Sequence, residues 1–304
     1  MSLRKFVATA AAVVGVAAGV LAVAAPAQAA PGSCPSLYVV AIPGTWETGD
    51  TAEKQGGPGM LADVTNRLRG ADIRADYVQY SATAFPWEGE VYGASRKQAT
   101  DNARGMLEAM QASCGNTRFG IIGYSQGADA AGDLANEIGT GLSSIRPERV
   151  AAVGLLSDPK RSPTDVLIGP WVPGGGAGGP RPGGFGWISD RTVTFCAPGD
   201  LYCSTEQQDY VTRMAGFAAT NSDPGSSDSP NYVPEAGAIL GDLFQAGGIP
   251  VLQQQLSEPA NDQRVGQLTQ FYGSGAHQNY QSYVVDGAGN TPTSWLAGWL
   301  RDKA

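Results

Sequence analysis

The segment around Ser125 constrains the fold more than any other part of the sequence. Residues 119–124 form an apolar run of strand length, and the pentapeptide Gly-Tyr-Ser-Gln-Gly occupies 123–127. Small residues then favour a helix over 126–138. The two glycines allow a strand and a helix to pack closely around a sharply turned serine. This order predicts a strand–turn–helix unit of a parallel sheet.

Similar apolar runs recur along the chain. We predict further strands at 37–42, 73–80, 150–156 and 193–196, and further helices at 59–69, 90–112 and 293–302. Continuous apolar strands that alternate with helices predict a parallel sheet covered on both faces. The Gly/Pro-rich stretch 161–190 predicts a functional or mobile loop.

Residues 204–272 follow the last predicted strand and contain three helix-like patterns, with clear helical periodicity over 235–255. A Ser/Asp/Pro stretch at 221–233 interrupts these patterns. We interpret 204–272 as a helical insertion in the domain, or as a lid.

The first thirty residues predict an export signal. Arg4 and Lys5 precede an apolar run at 6–24, and Ala-Pro-Ala-Gln-Ala at 25–29 has the small-residue pattern of a cleavage site. An N-terminal membrane anchor is the alternative, because the run approaches spanning length. We predict cleavage after residue 29, a single domain over 30–304, and a location outside the cytoplasm, in the cell envelope or released.

The charge balance limits the partners. The chain carries 20 Lys and Arg and 28 Asp and Glu, and loss of Arg4 and Lys5 with the signal leaves a net charge of −10. This balance disfavours nucleic acid and anionic membrane surfaces. It is compatible with neutral lipids, glycolipids or polysaccharides, and we expect a monomer that contacts lipid aggregates transiently.

Four cysteines remain after the predicted cleavage, and an even number in an exported protein predicts two disulfides. Three pairings are possible, and the short spacing of one pair favours Cys34–Cys114 with Cys196–Cys203. A zinc site is disfavoured, because paired C-x-x-C spacing is missing and His277 is the only histidine. We expect no metal and no cofactor.

Ser125, Asp200 and His277 are the candidate catalytic residues. A serine nucleophile needs a base that a third group orients, and His277 is the only histidine available. In this class of site the acid lies between the serine and the histidine in the sequence. Asp200 lies inside the 196–203 cysteine ring and is favoured over Asp158, which precedes a proline and fits a turn.

Two backbone amides are candidates for an oxyanion hole. The Gln126 amide would lie at a helix N-terminus, where it can donate to developing negative charge. The loop after the first strand would supply the second donor at Thr45. An ordinary structural turn is the alternative for that loop.

These motifs resemble the cutinase family, and most closely its actinobacterial members of the cell-envelope lipase, thioesterase or mycolate esterase branch. The shared features are a Cys before the first strand, a Cys before Gly-Tyr-Ser-Gln-Gly, the Cys-x3-Asp-x2-Cys ring, the Gly/Pro run at 179–186 and a late His. The resemblance covers about residues 34–290. It implies an α/β-hydrolase fold of three layers, a Ser125–Asp200–His277 triad, and an oxyanion hole at Thr45 and Gln126.

The sequence departs from compact fungal-type cutinases in two places. Seventy-six residues separate Asp200 from His277, and the loop at 43–47 has a different sequence. These departures put cutin itself in doubt as the substrate.

We therefore predict a serine carboxylic-ester hydrolase that acts on lipid or glycolipid esters through an acyl-serine intermediate. Phospholipids, acylglycerols, acyl thioesters and mycolate esters such as trehalose dimycolate are the expected substrates. One alternative is a carbohydrate deacetylase of the acetylxylan esterase type. Another is an envelope-lipid binding protein without catalysis.

Overall fold

The computed structural model describes residues 34–49, 59–70, 72–222 and 229–304. The predicted export signal lies outside the described residues. Within them, one five-stranded parallel sheet forms the centre of the molecule. Its strands are β1 Leu37–Ile42, β2 Ile73–Tyr77, β3 Arg118–Tyr124, β4 Val150–Leu156 and β5 Thr192–Phe195.

Helices follow most of the strands. They are α1 Ala62–Arg67, α2 Tyr92–Ser113, α3 Gln126–Gly139, α4 Tyr210–Thr220, α5 Ser229–Gln245, α6 Ile249–Gln255, α7 Glu258–Ser274 and α8 Pro292–Arg301. Shorter 3-10 helices include Pro86–Glu88 and Ala276–Gln281. Helices α4 to α7 lie between β5 and the histidine, where the sequence predicted a helical insertion.

The strand order places the loops after β1 and β3 side by side. The order is β2-β1-β3-β4-β5. Strand β2 therefore lies on one side of β1, and the later strands β3, β4 and β5 lie on the other side. In a parallel sheet this reversal opens a crevice at the carboxyl ends of the two central strands. Ile42 pairs with Gly123 at this edge. Thr45 and Ser125 therefore come close together, although 80 positions separate them in the chain.

The two faces of the sheet bury separate cores. Val40 and Ile42 pack with residues of α2 and α3 on one face, whereas Val39 packs with Val64 of α1 and Leu296 of α8 on the other. Successive residues of a strand point to opposite faces, so each strand contributes to both cores. Fully burying such a side chain contributes about 1.5–3 kcal/mol. The prediction of a parallel sheet covered on both faces is confirmed.

Two predicted boundaries are wrong. The strand predicted over 73–80 ends at Tyr77, because the chain bends away and Tyr80 instead donates a hydrogen bond to the carbonyl of Pro43 at 2.6 Å. The helical pattern over 235–255 is divided between α5 and α6. Gly247 and Gly248, with φ of 123° and 72°, break it, since glycine adopts such angles without steric cost.

The Gly/Pro-rich loop 161–190 is anchored by a buried group of charges. Arg181 donates to both carboxylate oxygens of Asp158 at 2.6 and 3.0 Å, and also to Asp133 at 2.8 Å. Asp129 and Lys160 belong to the same group. Asp158 is fully buried, and a buried carboxylate is tolerated only when paired. These contacts hold the loop at Arg181, and its function stays a prediction.

Candidate active site

Ser125 lies on a strained turn between β3 and α3. Its φ is 56° and its ψ is −123°, a conformation that non-glycine residues rarely adopt. Its backbone N–H donates to the carbonyl of Leu156 at 2.9 Å. A Cβ on Gly123 would lie 2.2 Å from the carbonyl oxygen of Gly127, and one on Gly127 would lie 2.0 Å from that of Ile42. The glycines of the pentapeptide therefore allow the close packing that holds the serine in place.

His277 connects the serine to an acid. Its Nε2 lies 2.9 Å from Ser125 Oγ, and its Nδ1 lies 3.0 Å from Asp200 Oδ2. With Nδ1 donating to the carboxylate, Nε2 is free to accept the serine proton. The Tyr124 hydroxyl donates to the His277 carbonyl at 2.7 Å, and the Tyr202 ring lies 4.6 Å from the imidazole between centroids. These contacts fix both the backbone and the ring of the histidine.

Asp200 is fully buried in the loop that the Cys196–Cys203 disulfide closes. Both disulfides favoured from the spacing are present, the other being Cys34–Cys114. Asp200 Oδ1 accepts the Tyr202 N–H at 3.0 Å. The short disulfide loop and this backbone bond hold the carboxylate beside His277.

Two further side chains hold Asp200, and the sequence pattern predicts neither of them. Asp200 Oδ2 accepts hydrogen bonds from Ser157 Oγ at 2.6 Å and from the Tyr280 hydroxyl at 2.7 Å. Burial, with a contribution from Asp200, raises the pKa of Tyr280 well above its ordinary value, so this phenol stays protonated and donates. The position of Tyr280, three residues after the only histidine, was the available signal.

Asp158, the rival acid, lies in the buried charge group and is directed toward Arg181. Ser157, the residue before it, is the one that reaches the site. Ser157 therefore contacts Asp200, whereas the adjacent Asp158 contacts Arg181.

The two oxyanion candidates lie next to Ser125 and are linked through side chains. Thr45 Oγ1 donates to Gln126 Oε1 at 3.2 Å, and Gln126 Nε2 donates to the carbonyls of Thr83 at 2.9 Å and Tyr92 at 3.2 Å. Gln126 is fully buried. Within the described ranges, no protein acceptor is found for the backbone N–H of either Thr45 or Gln126. The role of these two amides as an oxyanion hole therefore stays a prediction.

Glu47 braces the loop that carries Thr45. Its Oε2 accepts the Gly44 N–H and its Oε1 accepts the Met60 N–H, both at 2.8 Å. Burial raises the pKa of Glu47, although the two N–H donors oppose the rise. The sequence pattern gave no reason to select this residue, because its partner Met60 is 13 positions away.

The described residues contain no cluster of three or more His, Cys, Asp or Glu arranged to hold a metal ion. Among the helices that the structure describes, none has the length and apolar character needed to cross a membrane.

The parallel sheet, the strained serine between a strand and a helix, and the hydrogen-bonded Ser–His–Asp series define a protein of the α/β-hydrolase class. The cutinase family model matches residues 33–222. The chain belongs to the cutinase family.

Curated relatives come from actinobacteria. A carboxylesterase Culp6 homolog of Corynebacterium glutamicum is 31% identical over 205 residues, covering 57% of this chain and 66% of that protein. Carboxylesterase Culp1 of Mycobacterium tuberculosis is 28% identical over 200 residues, covering 62% of this chain and 83% of that protein. Among solved structures, the catalytic core domain of acetyl xylan esterase from Trichoderma reesei is similar, with a TM-score of 0.47, 21% identity, and coverage of 62% of this chain and 96% of that one.

Proposed function

We propose that the protein is a secreted serine carboxylic-ester hydrolase that cleaves lipid or glycolipid esters through an acyl-Ser125 intermediate. The observation that carries the proposal is the hydrogen-bonded series from Ser125 Oγ through His277 to Asp200. The names of the carboxylesterase relatives support ester hydrolysis. The two disulfides fit an oxidising location outside the cytoplasm or in the cell envelope.

We assign a role to each residue of this series. His277 Nε2 takes the Ser125 proton as Oγ attacks the ester carbonyl, and the Thr45 and Gln126 amides donate to the resulting oxyanion. His277 then returns the proton to the leaving alcohol, which leaves the acyl group on Ser125. Water activated by His277 releases the acid in a second attack. Asp200, held by Ser157 and Tyr280, stabilises the imidazolium in both steps.

A lipid substrate is supported by an exposed aromatic cluster beside the Thr45 loop. Trp46 and Trp87 are 67% and 79% exposed. The Phe85 ring stacks on the Trp87 ring with 4.6 Å between centroids, and its centroid lies 6.4 Å from that of the Trp46 ring. Trp46 Nε1 donates to Glu88 at 2.7 Å, which orients its ring. Exposed aromatic rings of this kind suit a boundary between water and lipid.

Replacement of the nucleophile tests the proposal. Ser125→Ala should lower turnover of p-nitrophenyl butyrate by about 10⁴-fold or more with an unchanged thermal unfolding midpoint, and should abolish labelling by a fluorophosphonate probe. Activity near that of the wild type would rule the assignment out. A chain-length series on the wild type tests the lipid part, since strict preference for acetyl would identify a deacetylase instead.

We also propose that the helical insertion covers bound lipid. Phe244 of α5 and Ile249 of α6 are 67% and 62% exposed, which leaves apolar surface free to contact lipid. Phe244→Ser with Ile249→Ser should lower activity on a triacylglycerol emulsion while sparing a soluble ester. Leu142→Ser, at a position 74% exposed after α3, is the matched control. Equal effects on both substrates would contradict a cover.

A further inference from the structure

A groove of about 950 Å³ lies between the insertion helices and the Cys196–Cys203 loop. Ser125, Asp200 and His277 do not line it. It is nevertheless next to the site, because Tyr202 and Phe271 line the groove and their rings lie 4.6 and 6.2 Å from the His277 imidazole between centroids. This volume is within the usual range for a small-molecule site.

One wall of the groove is a row of amide side chains on α7. Gln263, Gln267 and Gln270 line the groove and are exposed to solvent. Their spacing of four and then three residues places them on one helix face. Their side chains make no hydrogen bond to any residue in the part of the chain that the structure describes. Each amide offers two N–H donors and one carbonyl acceptor to a ligand.

Helix α4 contributes small apolar side chains to the lining. Val211, Ala215 and Ala219 of α4 recur every four residues along it. On the α7 side, Tyr272 adds an aromatic ring that is 69% exposed, and its hydroxyl lies 3.5 Å from that of Tyr202. The groove therefore combines hydrogen-bonding amides with flat apolar and aromatic surface.

The charges in the groove select against an anion. Arg264 is paired with Asp209 at 3.2 Å, and Glu206 adds a further carboxylate to the lining. The net charge of the lining is thus negative, which disfavours phosphate or carboxylate groups.

We propose that this groove binds a neutral saccharide and holds the carbohydrate part of an acylated sugar substrate. Ring hydroxyls pair with the α7 amides, and the C–H faces of the sugar pack on the aromatic and apolar walls. The proposal that a saccharide binds here rests on the groove alone. Its link to catalysis rests on the proposed esterase function, because Tyr202 and Phe271 would contact both the bound sugar and His277.

The test uses the full-length Ser125→Ala protein, which binds without turnover. Calorimetric titration with trehalose, xylotetraose, arabinotetraose and galactotetraose should show binding of at least one. Gln263→Ala with Gln267→Ala should weaken that binding about tenfold or more, as expected for loss of two ligand hydrogen bonds. The matched control is Gln253→Ala with Gln254→Ala, two exposed amides of α6 that do not line the groove.

Absence of binding to all four sugars, equal weakening by the control pair, or binding of laurate in place of a sugar would overturn the inference. Failure of the esterase assignment shows in the Ser125→Ala kinetics and fluorophosphonate labelling. Failure of the saccharide site shows in the titration, so the two outcomes are distinguishable.

Discussion

The two hydrogen bonds that Glu47 accepts allow a direct test of how the loop that carries Thr45 is held in place. In Glu47→Gln, one oxygen remains to accept either the Gly44 or the Met60 N–H, which the carboxylate now accepts together at 2.8 Å each. The other end of the amide becomes an NH2 group that faces an N–H donor. The substitution therefore keeps the size of the side chain and breaks one of the two connections.

Two opposing terms decide the effect on stability. An orphaned backbone N–H costs about 1–3 kcal/mol. Burial raises the pKa of Glu47, which means that the folded protein disfavours the charged form despite its hydrogen bonds. Removing the charge offsets part of that loss, so we expect Glu47→Gln to lower the free energy of unfolding by less than about 3 kcal/mol.

Activity has no such offset, because the proposed oxyanion hole depends on the position of the Thr45 amide. Complete loss of one oxyanion donor costs about 10²–10³ in kcat, and we expect the loosened loop to cost about tenfold in kcat/KM, or 1.4 kcal/mol. The raised pKa of Glu47 fixes the direction in which stability changes with pH. A raised carboxyl pKa adds stability as the pH falls through that pKa, and Glu47→Gln should lack this increase.

The assay combines p-nitrophenyl butyrate kinetics with thermal unfolding at neutral and acidic pH. Glu148→Gln, at an exposed position before β4, is the control for loss of one negative charge. Unchanged kcat/KM in Glu47→Gln would refute the brace. The brace would also be refuted if the thermal unfolding midpoint fell so far that unfolding of the variant explained its lost activity.

Two other variants test buried polar contacts. Tyr280→Phe removes a donor to Asp200 and the acceptor of the Ala197 N–H at 3.1 Å, so we expect a loss of about 1–3 kcal/mol in unfolding free energy and a lower kcat. Its control is Tyr283→Phe, which should be neutral because that buried hydroxyl has no partner among the described residues. Arg181→Ala leaves Asp158 buried without its partner and should cost about 3–5 kcal/mol, measured by denaturant unfolding. Arg67→Ala, which breaks an exposed pair, should cost under about 1 kcal/mol.

The sequence predicts those features that depend on nearby residues. The turn at Ser125 was predictable because its strand, its glycines and its small-residue helix are contiguous, and His277 because the chain has no other histidine. Arg181 and Asp158 were not predicted as a pair, because 23 positions separate them and no local pattern couples them. Glu47 and Met60 are joined in the same non-local way. The end of β2 was missed because Tyr80 fits a strand pattern, whereas a tertiary hydrogen bond decides its position.

Two serines at the site have the same positive φ angle. Ser125 and Ser157 both have a φ of 56°, and each directly follows its strand. The Ser125 N–H donates to Leu156 and the Ser157 N–H donates to Phe195, both at 2.9 Å, so each serine extends the sheet pairing by one residue before the chain turns.

Because Tyr124 pairs with Leu156, the two serines lie opposite each other at the edge of the sheet, at a strand separation of about 4.8 Å. Ser125 Oγ lies 2.9 Å from His277 Nε2, and Ser157 Oγ lies 3.0 Å from Nδ1. The parallel register of β3 and β4 thus sets both hydroxyls around one ring. A shift of one residue in that register would move Ser157 away from its position opposite Ser125, even with every side chain of the site retained.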